Sequence, residues 1–185
     1  MTRAFPCLAA ALLLAPAVAS AQAGPPRPVD SSLAITSAEI HDAIASADTT
    51  PVADARLRLV PIGAYNVAVS VVRRSQVDGR TPPDAAVHDA ITEVYEITEG
   101  RGILVIGGTL ADPHPFPADG PIVRDLIGPS SRGTAIRGGI RRQVGPGDVV
   151  VIPPHTPHGF AELLTPQITY VIVRIDGDRV LRPAP

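Results

Sequence analysis

Apolar and polar positions divide the chain into one short helical stretch followed by many short strands. Ile40, Ala43, Ile44 and Ala47 recur at helical spacing, and Thr36 with Glu39 has the form of a capping box, predicting an amphipathic helix from Ser37 to Ala47. His41 falls on its polar side. From Ala55 the period changes to two: Leu57 to Leu59, then Tyr65 to Arg73, separated by breaks at Pro61 and Gly63. Glu93 to Thr98 alternates again, and Ile103 to Ile106 follows across Glu99, Gly100, Arg101 and Gly102, predicting a hairpin. Ile122 to Ile127 and Thr134 to Val144 each predict a further strand. Val149 to Ile152 is a β-branched run between a Gly-Pro-Gly-Asp turn and Pro153, and Ile168 to Ile175 is the last strand. Eight to ten short strands in one domain predict an all-β double-sheet jelly roll or small barrel.

Composition agrees. The chain has 21 prolines and 16 glycines in 185 residues, which suits many turns, and its length suits one domain. A formal charge of −2 excludes the basic excess of a nucleic-acid binder. Arg3, the apolar run Leu8 to Ala15 and the small residues Ala19 to Ala23 have the order of a secretory signal, so residues 1–23 are expected to be removed on export to the periplasm or medium. The apolar run is too short to span a bilayer, and no membrane contact is expected after processing. Residues 24–54 then form a leader and the short helix, and 55–185 the barrel. Cys7 would leave with the signal, so the fold must hold without disulfides.

The candidate chemistry lies between Val87 and Gly102. His88 and Glu93 stand with four residues between them before a strand, and His158 lies far downstream in a Pro-rich turn. Imidazole and carboxylate are ligands for divalent metals. His88 and Glu93 have opposite parity, so both point inward only if the backbone bends between Asp89 and Thr92. If Glu93 points inward, Tyr95 and Ile97 share its side, and Tyr95 is a candidate for orienting a substrate or transferring a proton. His114 and Phe116 sit in an irregular, proline-stiffened segment, Gly107 to Pro121, with the character of a flap.

These residues resemble the two short motifs of the cupin superfamily. His88, Glu93 and Gly100 match the second histidine, the glutamate and the closing glycine of the first motif. Gly147, Pro153 and His158 match the second. Ala86 stands where the first motif has its other histidine, His155 where the second motif has a glycine, and Glu162 where it has an asparagine. The resemblance covers about Ala55 to Ile175. It implies a jelly-roll barrel with a metal held by His88, Glu93 and His158, leaving open positions for water, oxygen or a chelating substrate. Fe, Mn, Ni and Zn all accept that ligand set. Two functions follow as expectations: an exported metal-binding protein acting on a small oxygen-rich molecule, or a non-catalytic small-molecule binder with a degenerate metal site. A third reading is an association domain, since apolar strands can pair a homodimer.

Overall fold

The structure, a computed structural model, describes residues 34–47 and 50–182. The expected signal segment lies outside the described residues. The helix α1 (Ser37–Ser46) forms as predicted, with both halves of the Thr36–Glu39 capping box present. It lies on the first two strands, where Glu39 pairs with Arg58 and Arg73 Nη1 donates to the Ile44 carbonyl at 3.4 Å.

The strands, numbered along the chain, form two antiparallel sheets and a small ribbon. The first sheet runs β1 (Val52–Ile62), β2 (Tyr65–Ser75), β13 (Gln167–Asp176), β4 (Ile91–Glu99), β11 (Val149–Ile152). The second runs β10 (Ile140–Val144), β5 (Gly102–Ile106), β12 (His158–Leu163), β3 (Ala86–His88), β8 (Ser130–Arg132), β7 (His114–Pro115). β6 (Thr109–Ala111) and β9 (Ala135–Arg137) make the ribbon. The two larger sheets face each other through one apolar core. Tyr95, Ile97, Ile168, Tyr170 and Ile172 come from the first, and Leu104, Phe160 and Leu163 from the second. Burying each such large side chain contributes about 1.5 to 3 kcal/mol. This is the expected all-β jelly-roll arrangement of two facing sheets, with β1, β11, β10 and β7 at the sheet edges among the described residues.

Three sequence expectations are corrected. β4 and β5 do not pair as a hairpin: β4 lies between β13 and β11, whereas β5 lies between β10 and β12 in the opposite sheet. The turn between them carries the chain across the sandwich, and its short length imitates a hairpin loop. Ile122 to Ile127 is no strand but a π-helical turn, Val123–Ile127. Two apolar, two polar and two apolar residues follow one another there, which suits a helical turn better than alternation. Pro121 begins it without needing a donor, and Gly128 ends it at φ +65. Thr134 to Val144 splits at Gly138 and Gly139 into β9 and β10, because Gly138 adopts φ +72. The strands beyond the expected eight to ten are pieces of two or three residues in this part of the chain.

The crossing turn depends on Gly100. Its φ is +75, and a Cβ there would lie 2.2 Å from the Gln167 carbonyl oxygen. Gly100→Ala is therefore expected to destabilise the fold by more than about 1 kcal/mol. Urea unfolding of the two proteins measures it; an unchanged midpoint would contradict the assignment.

Candidate metal centre

The chain passes from the second sheet to the first between His88 and Ile91, and that crossing resolves the parity problem. His88 ends β3 and Glu93 lies in β4, so residues of opposite phase on facing sheets both point between them. The bend at Asp89 and Ala90 is held from both sides: Asp89 N–H donates to Pro129 at 2.9 Å, and His155 N–H donates to the His88 carbonyl at 2.7 Å. His158 opens β12 beside β3, directly paired with Ala86. All three expected ligands are buried, at 6%, 1% and 4% exposure for His88, Glu93 and His158, and thus need partners.

The three groups converge on one point. Glu93 Oε2 lies 3.5 Å from His88 Nε2 and 3.3 Å from His158 Nε2, and the candidate ligand atoms all lie within 4.8 Å of one another. The far side of each imidazole is already engaged. His158 Nδ1 is 2.9 Å from the Thr156 carbonyl, which can only accept, so that nitrogen carries the proton. His88 Nδ1 is 2.7 Å from Ser130 Oγ, whose own proton is directed to the carbonyls of Ile127 and Gly128 at 3.1 and 2.9 Å. Nδ1 of His88 is therefore the donor. Neutral rings so oriented aim two Nε2 lone pairs and a carboxylate oxygen at one another. Such an arrangement repels itself unless a cation or a proton sits among them.

The acid–base balance of the cluster follows. Burial raises the Glu93 carboxyl, but the charges and hydrogen bonds of Arg174, His88 and His158 outweigh it and hold Glu93 well below the usual carboxylate range. Burial lowers the His158 imidazole, but the hydrogen bond and charge of Glu93 raise it overall. Without a metal, His158 is thus the place where a proton relieves the convergence. Tyr95 donates its hydroxyl to Glu93 Oε2 at 2.8 Å, and burial together with the Glu93 charge lifts that phenol well above its ordinary value. It stays a hydrogen-bond donor. Ile97 lies in the apolar core and not at the cavity wall.

Arg174, Asp54, Ser70 and Ser130 are participants that the motifs did not reveal. Arg174 faces Glu93 across the β13–β4 ladder and donates Nε–H to Glu93 Oε1 at 2.8 Å. Its Nη2 reaches Asp54 Oδ2 at 2.5 Å and its Nη1 reaches Ser70 Oγ at 2.8 Å. The signal was present: Ile168, Tyr170, Ile172, Arg174 and Asp176 share one phase of β13, so the two charges lie on its inward side. Asp176 is also buried, receiving N–H groups of Val180 and Leu181 that fasten the tail.

A cavity of about 890 Å³ opens over the cluster, a volume that suits a small molecule. Ala86 contributes to its wall, so the missing histidine leaves space beside His158. Arg132, set over the Phe116 ring at 5.8 Å, stands at the cavity with Ile122 and Leu126 of the helical turn. Of the Gly107 to Pro121 segment, Phe116 and Pro121 line the cavity, while His114 is exposed on β7. The segment is tied down by the β7–β8 pairing. His155 is exposed at φ +59, with Nδ1 3.8 Å from Asp89, and lies at the bend and not in the cluster.

Ser130 offers a specific test. Ser130→Ala removes the acceptor that sets the His88 tautomer, and metal affinity is expected to fall about 10- to 100-fold by calorimetric titration. Equal affinities would show that the tautomer is fixed otherwise.

No family model and no curated protein matches the chain. Solved structures do. It is similar to KdgF from a Halomonas species at 15% identity, covering 70% of this chain and 83% of that one, with a TM-score of 0.41. An oxalate oxidase in complex with the substrate analogue glycolate matches at 16% identity, over 82% and 63% of the two chains, with a TM-score of 0.47. The cupin domain of Schizosaccharomyces pombe Cnp3 matches at 9% identity, over 72% and 71%, with a TM-score of 0.44. The chain spans just under two thirds of the oxalate oxidase. At identities of 9–16% the likeness is one of fold alone.

Proposed function

We propose that the chain binds one divalent metal through His88 Nε2, His158 Nε2 and Glu93 Oε2 and acts at that centre on a small oxygen-rich molecule. The observation that carries this reading is the convergence of three electron-pair donors whose opposite sides are all occupied by hydrogen bonds. Fe, Mn, Ni and Zn each suit the ligands. When bound, the ion supplies Lewis acidity toward a substrate oxygen or a bound water.

The chain's own residues do the rest. His88 and His158 keep their protonated nitrogens outward, held by Ser130 and Thr156. Tyr95 keeps Glu93 Oε2 in place, and its hydroxyl stands beside any ligand that enters. Phe116, Ile122 and Leu126 give the cavity apolar wall, which limits water at the centre. Arg132 at the cavity suits an anionic end of the ligand. The same reading includes export to the periplasm or medium after loss of residues 1–23, and assembly as a homodimer.

The second reading, a non-catalytic binder, is favoured by Ala86, which leaves three protein ligands instead of four. Elemental analysis of the protein as isolated, followed by a thermal-shift screen of small hydroxy and oxo acids, separates the two. A metal-containing protein that converts a stabilising compound supports the enzyme. Stabilisation without conversion supports the binder, and absence of metal uptake from Fe, Mn, Ni or Zn contradicts the metal reading while leaving the binder.

A further inference from the structure

Glu93 uses its two oxygens differently. Oε2 takes the Tyr95 hydroxyl and faces both imidazoles, whereas Oε1 accepts Arg174 Nε–H at 2.8 Å. The guanidinium that holds Oε1 is itself fixed from three strands. β13 carries it, Asp54 of β1 receives Nη1 and Nη2 at 3.3 and 2.5 Å, and Ser70 of β2 receives Nη1 at 2.8 Å. Arg174 is 2% exposed, with its side chain enclosed on the inner face of the first sheet. A planar fork engaged along both edges in a buried site has no spare rotamer.

We infer that Arg174 is a positioning residue for the metal centre: it retains Glu93 Oε1, so that Glu93 offers the ion Oε2 alone. This rests on the metal-binding reading above. Oε2 is the oxygen that faces both imidazoles, and turning the carboxylate to bring Oε1 beside it would draw Oε1 away from Arg174 Nε–H and strand a buried donor that the fixed guanidinium cannot re-aim. One oxygen from Glu93 and one nitrogen from each histidine would then supply three protein donors, with Ala86 and the cavity beside them.

Asp54 explains why an arginine so close does not repel the ion. Arg174 lies between two carboxylates, Asp54 and Glu93, so the trio carries one net negative charge. Pairing with Asp54 satisfies the far edge of the guanidinium and leaves Glu93 attractive to a cation. Asp54 is the more accessible carboxylate, at 18% side-chain exposure against 2% for Glu93. It can therefore balance the arginine without sharing the full desolvation of the centre.

The test uses the full chain loaded with Mn(II) or Zn(II), read by metal-bound minus metal-free infrared difference spectra and by calorimetric titration. One-oxygen ligation separates the antisymmetric and symmetric carboxylate bands widely, and chelation through both oxygens brings them together. The wild-type protein is expected to show the wide separation. Arg174→Lys keeps the charge but not the fork, and is expected to narrow the separation and weaken binding about 10- to 100-fold. A purely structural arginine would lower thermal stability without moving the bands. A narrow separation in the wild type, or a lysine variant with wild-type spectrum and affinity, overturns the role. Should Arg174→Lys not fold, Asp54→Asn loosens the same guanidinium and is expected to weaken binding about 10-fold; unchanged affinity and spectrum there overturn it equally. If the wild type takes up no ion, or His158→Ala binds as well as the wild type, the metal reading itself fails. A narrow separation with His158-dependent binding defeats only the role of Arg174.

Discussion

Replacing Arg174 by methionine is expected to destabilise the fold by about 3 to 5 kcal/mol at neutral pH, because the change removes one cation from two carboxylates. Glu93 is 1% exposed and, among the described residues, Arg174 is its one permanently charged cationic partner, and Asp54 loses the guanidinium that spans β1, β2 and β13. Chemical denaturation measures the loss. The sign of its pH dependence is fixed by the same contacts. In the parent protein Glu93 titrates well below its ordinary value, so its stabilising contribution is present above the ordinary carboxylate range and is lost as pH falls through the depressed value. In the methionine variant the largest influence that lowers Glu93 is gone, so Glu93 is expected to take up its proton at a higher pH than in the parent. The charge that Arg174 neutralised is then removed in the variant before the parent is protonated, so the gap between them is expected to narrow on acidification. A gap that stays constant from neutral pH to below about pH 4 would show that the pair contributes packing and not charge.

The other large effect concerns binding. His158→Ala removes a donor that closes the cluster from β12 and leaves Glu93 facing His88 alone. One-to-one uptake of Mn, Fe, Ni or Zn is expected to be lost in this variant, with the fold retained because β12 keeps its pairing to β5. In the parent protein, affinity is expected to fall as pH drops. Protons compete for the imidazoles, and Glu93 raises the His158 value, so competition begins at a higher pH than for an isolated histidine. Titration calorimetry across neutral pH measures it. An affinity independent of pH would place the ion elsewhere.

The three residues of the cluster were legible in the sequence and their supports were not, for a physical reason. His88, Glu93 and His158 occupy positions fixed by local spacing and by turn residues such as Gly100, Gly147 and Pro153. Ser130 reaches His88 only because β8 pairs with β3, and Arg174 reaches Glu93 only because β13 lies beside β4 in one register. Pairings between distant strands leave no spacing to read. The inward phase of β13 was readable, however, and a charge on that phase required a buried partner. The predicted β4–β5 hairpin failed by the same logic: a four-residue turn fits two strands in one sheet or a passage between facing sheets, and only the partners of each strand decide. The bend at Asp89 and Ala90 was deducible because parity demanded it, and the structure adds that it is a change of sheet.

Whether His88, Glu93 and His158 jointly hold a metal is read from X-ray absorption at the metal edge of the loaded full chain, since ring carbons of bound imidazoles add their own scattering. Two imidazoles are predicted in the parent protein and one or none in His158→Ala. A loaded protein with no imidazole scattering, or with the same scattering in both proteins, would contradict it.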